Sequence, residues 1–255
     1  MTNYYNSKFY SKPIEVENID WEILVIINDS KNREVIYSWY DIKEKNTEST
    51  YINKCLLWWF IKQIPEKVLI IWFWWWAFAK YLEDHIQNIN ITWIDIDKTM
   101  VDIAKKELLV ETNDIYISDA NIAIEKLIIK KEKYDLILID VYWSNWEIPE
   151  YFQDKNFSEK LKNVLINNWT ISINFSNYDL ESKKYNKIHT ALINTFWEYY
   201  SHLSSAKNDK SNIAWIYNLD KFYSAKDFDN KYLKQVKNWK ILFDEKIIRN
   251  TVVVK

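Results

Sequence analysis

Residues 67–97 read KVLIIWFWWWAFAKYLEDHIQNINITWIDID and carry the pattern of a strand, a helix and a second strand. Residues 67–71 are a short apolar, β-branched run, which predicts a buried parallel strand. Residues 77–88 have apolar side chains at helical spacing, and residues 91–96 form a second strand that ends among acids. Strand, tight loop, helix, strand and acid are the layout of a nucleotide-binding βαβ unit.

The loop between the first strand and the helix conflicts with this pattern. It needs glycine, because the backbone must turn sharply and come close to a ligand. Residues 72–76 instead read WFWWW. The whole chain has no glycine and 15 tryptophans, whereas average usage predicts roughly 18 glycines in a chain of this length.

Several tryptophans stand where glycine is expected. Asn-Gly is the strongest short turn signal, and Asn is followed by Trp at Asn145-Trp146, Asn168-Trp169 and Asn238-Trp239. We therefore hypothesise that UGA codons read as glycine in the cell are printed as tryptophan in this sequence. The alternative is a genuinely Trp-rich protein whose rings serve as core or ligand platforms. Trp59 and Trp215 lie in apolar runs, where a real indole fits.

Length, charge and cysteine content limit the kinds of protein that this chain can be. A chain of 255 residues with 48% hydrophobic content suits one α/β domain with a small appendage. The net charge of −2 predicts no nucleic-acid partner. The single cysteine, Cys55, excludes an internal disulfide and a cysteine metal cluster. No apolar run reaches about 18 residues and no signal-peptide core is present, so we expect a cytoplasmic enzyme with no membrane partner.

The sequence predicts two domains. Residues 1–18 are polar and aromatic, and we expect them to be loosely ordered. Residues 21–39 form a β-hairpin, and an apolar helix over 51–64 ends at a proline. These elements make an N-terminal appendage and linking helix over 1–64, followed by a catalytic domain over 65–255.

From residue 65 onward strands and helices alternate regularly. The pattern predicts a Rossmann-like α/β fold with helices on both faces of a mostly parallel sheet. Two late β-type runs, at 196–203 and 212–218, are expected to close one edge as an antiparallel pair. A further short strand is predicted at 252–254.

Acidic residues follow three different strands of the predicted sheet. Asp95 ends the second strand, Asp119 follows the third and Asp140 ends the fourth. In an open α/β sheet the ligand lies across the carboxyl ends of the strands, so this joint pattern favours a site. The alternative for a lone acid here is a helix N-cap or a solvated turn. We interpret Asp97, which precedes a helix, as such a cap.

The histidines offer no comparable pattern. His85, His189 and His202 have no metal-ligand spacing, so we interpret all three as structural and expect no metal. No Ser-His-Asp order with a nucleophile elbow is present.

Five segments together resemble the spermidine synthase group of the class I S-adenosylmethionine-dependent methyltransferase fold. They are VLIIWFWWWAFA (68–79), ITWIDID (91–97), IYISDA (115–120), YDLILIDVYWSNWEIP (134–149) and FSEKLKNVLINNWTISINF (157–175). The resemblance implies a cofactor, S-adenosylmethionine or its decarboxylated form. It places Asp95 at the ribose, Asp119 and Ala120 near the adenine, and Trp72, Trp74, Trp75 and Trp76, read as glycines, under the methionine portion. It also suggests a homodimer.

The chain departs from that family at one catalytic position. Aminopropyltransferases carry an aspartate three residues after the one that matches Asp140, and this chain has Trp143 there. Aminopropyl transfer needs a base or anion to orient the attacking amine. Asp140 is expected to stabilise positive charge in the site, and Tyr142 either lines the acceptor pocket or packs in the core.

These observations predict a transferase that moves a methyl group to an unidentified small acceptor, since methyl transfer needs little beyond alignment of the reactants. The first alternative is aminopropyl transfer to a diamine, with Asp140 or Glu147 as the anion. A non-catalytic adenosyl-nucleoside-binding protein and, less well matched, a nicotinamide oxidoreductase are further alternatives.

The recoding hypothesis makes a direct prediction about the gene. We expect UGA codons at positions 72, 74, 75 and 76, and a native protein whose intact mass is lower by the tryptophan–glycine difference at every recoded position. Codon sequencing and mass spectrometry of the native protein measure both. UGG codons at these positions would show that the tryptophans are real.

Overall fold

A computed structural model describes residues 1–28, 33–47, 65–71, 76–112, 114–140, 148–176, 183–196, 199–204 and 212–219. The chain divides into two compact units. The first unit comprises Met1–Ser49, Leu69–Ala123 and Asp140–Pro149. The second comprises Thr50–Val68, Ile124–Ile139 and Glu150–Lys255.

The first unit begins with a four-stranded antiparallel sheet in the order β1-β2-β3-β4. Its strands are β1 (Thr2–Tyr5), β2 (Ile14–Ile19), β3 (Glu22–Asn28) and β4 (Glu34–Asp41). In β3 every second residue, Ile23, Val25 and Ile27, is buried, as expected for a strand with one face on a core. The predicted hairpin over 21–39 is therefore confirmed.

The expectation of loose order over residues 1–18 is wrong. This segment supplies β1 and β2, which pair in register from Thr2 opposite Glu17 to Tyr5 opposite Ile14. Ile14 and Val16 are 0% exposed. Ile14 and Val16 alternate with glutamates, which is the two-residue period of a half-buried strand. The alternation covers only four residues, so the polar and aromatic composition of the preceding residues hid it.

Among the described residues, the larger sheet has seven strands in the order β10-β11-β9-β8-β5-β6-β7. Its strands are β5 (Lys67–Ile71), β6 (Asn90–Asp95), β7 (Asp114–Ile117), β8 (Tyr134–Ile139), β9 (Leu165–Ser176), β10 (Tyr199–Ser204) and β11 (Asn212–Leu219). The helices are α1 (Trp76–His85), α2 (Lys98–Glu107), α3 (Ala120–Ile129), α4 (Lys155–Val164) and α5 (Lys183–Phe196), with a 3₁₀ turn at Glu150–Gln153.

The pairing confirms the predicted fold class. β6 pairs with β7, and β8 with β9, in parallel. β11 pairs antiparallel with both β9 and β10, so the two late runs close one edge of the sheet as expected. All six residues of β8 are buried, which explains why its sequence is continuously apolar around one acid, Asp135. The Asp135 carboxylate accepts the backbone N–H groups of Glu66 and Lys67, both at 2.8 Å, at the start of β5.

The predicted turn at Asn168-Trp169 lies inside β9 as a break in register. Tyr134 of β8 is opposite Leu165, whereas Leu136, two residues on, is opposite Thr170. Four residues of β9, 166–169, therefore lie opposite a single residue of β8, Asp135. An irregularity of this kind is where the flexible backbone of glycine is most useful in a strand.

Four predicted features lie outside the described residues. They are the helix over 51–64, the strand at 252–254 and the turns at Asn145-Trp146 and Asn238-Trp239. The domain boundary between residues 64 and 65 stays a prediction.

A further tryptophan occupies a tight turn that the sequence analysis did not single out. Ile19 of β2 pairs with Glu22 of β3, so Asp20 and Trp21 alone connect the two strands. Asp20 has a positive φ of 53°, and Trp21 is 58% exposed. Two-residue hairpin turns strongly favour Asp-Gly, so glycine suits position 21 better than an exposed indole does.

Replacing Trp21 by glycine is expected to stabilise the chain. Of the two central residues only Asp20 has a positive φ in this structure. Trp21→Gly would also allow the turn with positive φ at both central residues, which is the form whose twist matches that of the flanking strands and which Asp-Gly favours. We expect a rise in Tm of about 2–4 °C in thermal unfolding. Trp39→Gly is the matched control, because Trp39 is a half-buried residue of β4 opposite Leu24 and its loss lowers the Tm. A lower Tm for Trp21→Gly would contradict this account of the turn.

Candidate functional site

The site is assembled around the end of β6. Asp95 is the last residue of that strand and is 0% exposed. It is opposite Ile117, the last residue of β7, and its carbonyl oxygen accepts the N–H of Ser118 at 2.8 Å. The ends of these two parallel strands therefore lie side by side, with Asp119 following one residue later.

The two carboxylate oxygens of Asp95 are in different situations. Oδ1 accepts the backbone N–H of Asp97 at 2.8 Å. Oδ2 is buried and has no hydrogen-bond donor among the residues that the structure describes. Burial raises the pKa of this carboxyl well above its ordinary 3.8, and the backbone N–H groups of Asp97 and Ile96 offset the rise only in part. A buried acceptor of this kind is costly, and such groups concentrate at functional sites.

Asp97 is the N-cap of α2, as predicted. Its Oδ1 accepts the N–H of Thr99 at 2.9 Å. The hydroxyl of Ser7 donates to the other oxygen, Oδ2. Asp97 is therefore a structural acid with both oxygens bonded, in contrast to Asp95 two residues before it.

Asp119 and Ala120 lie at the start of α3. Asp119 Oδ1 accepts the N–H of Asn121 at 2.9 Å, and its carbonyl accepts the N–H of Ala123 at 2.9 Å. Asp119 therefore caps the N-terminus of α3, which is the role that the sequence analysis gave as the alternative to ligand binding. Ala120 is buried. A contact of either residue with an adenine stays a prediction.

Asp140 follows β8 and is 2% exposed. Its backbone N–H donates to the carbonyl of Ile71, the last residue of β5, at 3.3 Å. Asp140 is therefore next to the point where the chain enters the 72–76 loop. Two predicted parts of the site, the loop and this acid, begin at the same edge of the sheet.

The remaining predicted site residues have no described side chain. Trp72, Trp74, Trp75 and Tyr142 lie outside the described residues. Trp76 is described by its backbone alone, as the first residue of α1. Their assignment to the site stays a prediction.

Trp93 lies close to the acid on the same strand face. It precedes Asp95 by two residues in β6, so both side chains point to one side of the sheet. Trp93 is 1% exposed, and its indole N–H has no acceptor within the described part of the chain. An unpaired buried donor costs about 1–3 kcal/mol. Glycine at position 93 would remove that donor, which supports the recoding hypothesis.

Of the three histidines, His85 has the most fully described surroundings. His85 Nδ1 is 2.9 Å from the carbonyl of Tyr81, its ring stacks on the Tyr81 ring, and burial lowers its pKa. Within the described ranges no group of three or more His, Cys, Asp or Glu side chains is arranged to hold a metal ion. Nor does any helix there combine the length and the apolar character needed to span a membrane.

We compared the chain with protein families and with individual proteins of known name. No protein-family model matches the chain. The polyamine aminopropyltransferase of Vibrio vulnificus (strain CMCP6) is 23% identical over 70% of this chain and 62% of its own length. The chain thus matches less than two thirds of that relative.

Two solved structures resemble the chain over most of its length. A probable spermidine synthase from Corynebacterium glutamicum ATCC 13032 has a TM-score of 0.71 at 14% identity, covering 91% of this chain and 87% of its own. Human methyltransferase-like protein 13 in complex with SAH has a TM-score of 0.61 at 18% identity, covering 78% of this chain and 94% of its own.

The chain has the spermidine synthase-like class I methyltransferase fold. The sequence predicts Asp95, Asp119 and Asp140 as site residues, and these roles stay predictions. The contact of Ser7 with Asp97 was not expected, because the N-terminal segment was expected to be loosely ordered. The signal that could have found Ser7 is the strand period at Ile14 and Val16, which shows that this segment is folded.

The burial of Asp95 predicts a stability gain on its neutralisation. The unfolded chain ionises this carboxyl near its ordinary pKa of 3.8, whereas the folded chain does so only at higher pH. The stability of the ligand-free protein therefore falls as pH rises between these two values. Asp95→Asn abolishes this loss, so at pH 7 we expect a Tm about 2–4 °C above that of the parent chain.

The control and the pH series make this test specific. Asp97→Ala removes a bonded cap and should lower the free energy of unfolding by about 1 kcal/mol. Thermal unfolding of the three proteins from pH 4 to pH 8 measures both effects. A gain for Asp95→Asn that is the same at every pH would show that ionisation of Asp95 is not its cause.

Proposed function

We propose that this chain is an S-adenosylmethionine-dependent transferase that binds the ribose of its adenosyl cofactor on Asp95. The observation that carries the proposal is the buried Asp95 carboxylate, of which Oδ1 accepts a backbone N–H and Oδ2 has no donor in the part of the chain that the structure describes. A carboxylate has acceptor positions for two hydroxyl groups, and a ribose diol presents two O–H donors side by side. The residues present therefore fit an adenosyl group.

The fold and the relatives support the same choice. Human methyltransferase-like protein 13, which shares the fold, was solved with SAH, which is S-adenosylhomocysteine. The relative from Vibrio vulnificus is named a polyamine aminopropyltransferase. Both names point to an adenosyl-sulfonium ligand or its product.

The remaining cofactor contacts follow from the predicted site. Asp119 and Ala120 directly follow Ser118, whose backbone N–H donates to the carbonyl of Asp95, and they would contact the adenine. The 72–76 loop, in its glycine form, would lie under the methionine portion. Asp140, bonded to the start of that loop, would place a negative charge near the positive sulfonium.

When bound, S-adenosylmethionine supplies an electrophilic carbon next to its sulfonium. The chain's own contribution is to hold the ribose through Asp95, to keep water from the buried carboxylates and to orient an acceptor. We propose methyl transfer to a small acceptor, because this reaction tolerates the absence of an acid at position 143. The proposed acceptor is a small molecule, with a polyamine as one candidate, and the protein is proposed to act in the cytoplasm.

Aminopropyl transfer from decarboxylated S-adenosylmethionine to a diamine is the second candidate. It is favoured by the name of the relative and by the likeness to a probable spermidine synthase. It requires Asp140 or Glu147 to take the role of the missing aspartate. If Tyr142 lines the acceptor pocket, its hydroxyl is the polar group that contacts the acceptor in either reaction.

Cofactor affinity tests the proposal. The chain is produced with glycine at every position whose codon is UGA, and binding of S-adenosylhomocysteine is measured by isothermal titration calorimetry. We expect Asp95→Asn to weaken binding about 10- to 100-fold, because hydrogen bonds to a charged acceptor contribute about 1.5–3 kcal/mol. A parent protein that shows no binding, or equal affinity after Asp95→Asn, would refute the ribose assignment.

The matched control for Asp95→Asn is an acid on α2, the helix that follows Asp95. Asp102 is an exposed residue of α2, paired with Lys98 at 2.6 Å. Asp102→Asn removes one negative charge at a similar place in the chain without touching Asp95. Its affinity for S-adenosylhomocysteine should equal that of the parent, since exposed pairs contribute little.

Product analysis separates the two reactions. The glycine-form protein is given decarboxylated S-adenosylmethionine with putrescine, or S-adenosylmethionine with a panel of amines, hydroxyls and carboxylates. Spermidine formation establishes aminopropyl transfer, and a methylated product establishes methyl transfer. Cofactor binding with neither product favours a non-catalytic adenosyl-binding protein.

A further inference from the structure

The N-terminal segment lies along α2 and ends next to the cofactor acid. Tyr5, in β1, donates its hydroxyl to Glu107 at the last residue of α2. Thr99, in the first turn of that helix, donates its hydroxyl to the carbonyl of Asn6 at 3.1 Å. Ser7 then reaches Asp97 at the N-cap. The segment therefore contacts α2 at both ends, and its contacts finish two residues from Asp95.

Ser7 is connected to Asp95, the proposed ribose-binding residue, through Asp97. The Ser7 hydroxyl donates to Asp97 Oδ2, and the backbone N–H of Asp97 donates to Asp95 Oδ1 at 2.8 Å. This second bond occupies one oxygen of Asp95 and leaves Oδ2 for a ligand donor. The direction of the Asp97 N–H therefore sets the orientation of the Asp95 carboxylate.

The bond from Ser7 is well placed to hold that N–H in position. Asp97 is 2% exposed, and its other carboxylate oxygen is already engaged by the N–H of Thr99. With Ser7 in place, both oxygens are bonded, so the side chain cannot rotate without losing a bond to a charged acceptor. Without Ser7, one buried oxygen loses its donor, and the residue can relax together with its backbone N–H.

We propose that Ser7 is a positioning residue for the adenosyl cofactor, acting through Asp97 on the orientation of the Asp95 carboxylate. This proposal rests on the proposed function, because it assumes that Asp95 accepts the ribose hydroxyls. It assigns a role in cofactor recognition to a segment that belongs to the N-terminal sheet and not to the larger one.

The proposal is tested with a ligand that differs from adenosine only in the hydroxyls concerned. Binding of adenosine and of 2′,3′-dideoxyadenosine is measured by ligand-observed NMR on the parent, on Ser7→Ala and on Asp95→Asn, all in the glycine form. The parent should prefer adenosine. We expect Ser7→Ala to weaken adenosine binding about 10-fold and to leave dideoxyadenosine binding unchanged.

Two further variants separate positioning from simple loss of structure. Ser7→Thr keeps a hydroxyl and should restore the preference for adenosine. Thr99→Val removes a bond between the same two segments, the one to Asn6, but keeps the backbone N–H that engages Asp97. It should lower the Tm about as much as Ser7→Ala and keep the preference for adenosine.

The outcomes distinguish this proposal from the one on which it rests. If Ser7→Ala weakens both ligands equally or neither, Ser7 has no positioning role, while a loss of adenosine preference in Asp95→Asn keeps the ribose assignment intact. If the parent shows no preference for adenosine over dideoxyadenosine, the ribose assignment fails and the role of Ser7 fails with it.

Discussion

The hydrogen bond from the Asp97 N–H to Asp95 Oδ1 is the interaction on which the site depends. It requires that the chain leave β6 and enter α2 within two residues, so that one acid ends the strand and the next caps the helix. The same short turn buries the Asp95 carboxylate while leaving one oxygen without a donor among the described residues. A buried carboxylate with an oxygen that lacks a donor lowers the stability of the fold, but that oxygen can accept a hydroxyl group from a ligand. Binding sites commonly give up some stability for function in this way.

The rest of the first unit supports that turn from two sides. β7 fixes the end of β6 through the bond between Ser118 and Asp95. The N-terminal segment holds the start of α2 through the bond from Ser7 to Asp97, and it holds the end of α2 through Glu107. Glu107 also accepts the side-chain amides of Asn3 and Asn18. The antiparallel N-terminal sheet is thus attached by specific polar contacts to α2, the helix that follows Asp95. Side chains whose positions are held from outside the site are what a precise site requires.

The tryptophans are the main conflict between this sequence and its fold. At position 21 an exposed indole occupies a two-residue turn, and at position 93 a buried indole N–H lies without an acceptor in the described structure. Near position 169 the strand has a register break. Each is a place where local backbone or packing requirements disagree with a large aromatic side chain and agree with glycine. These positions therefore support the same hypothesis as the absence of glycine from the composition.

The amino-acid sequence by itself determined the order of the described strands and helices between residues 65 and 219, the cap at Asp97 and the acids that follow β6, β7 and β8. These depend on local periodicity and on short-range hydrogen bonding. It did not reveal that residues 2–5 and 14–19 form strands, because their apolar alternation is brief and their stability comes from pairing of β1 with β2 and of β2 with β3. Only the tertiary structure decided which of two neighbouring acids is bonded on both oxygens and which has one left, since Ser7 and Asp97 lie 90 residues apart in the chain. Such long-range contacts leave no local signal in the sequence.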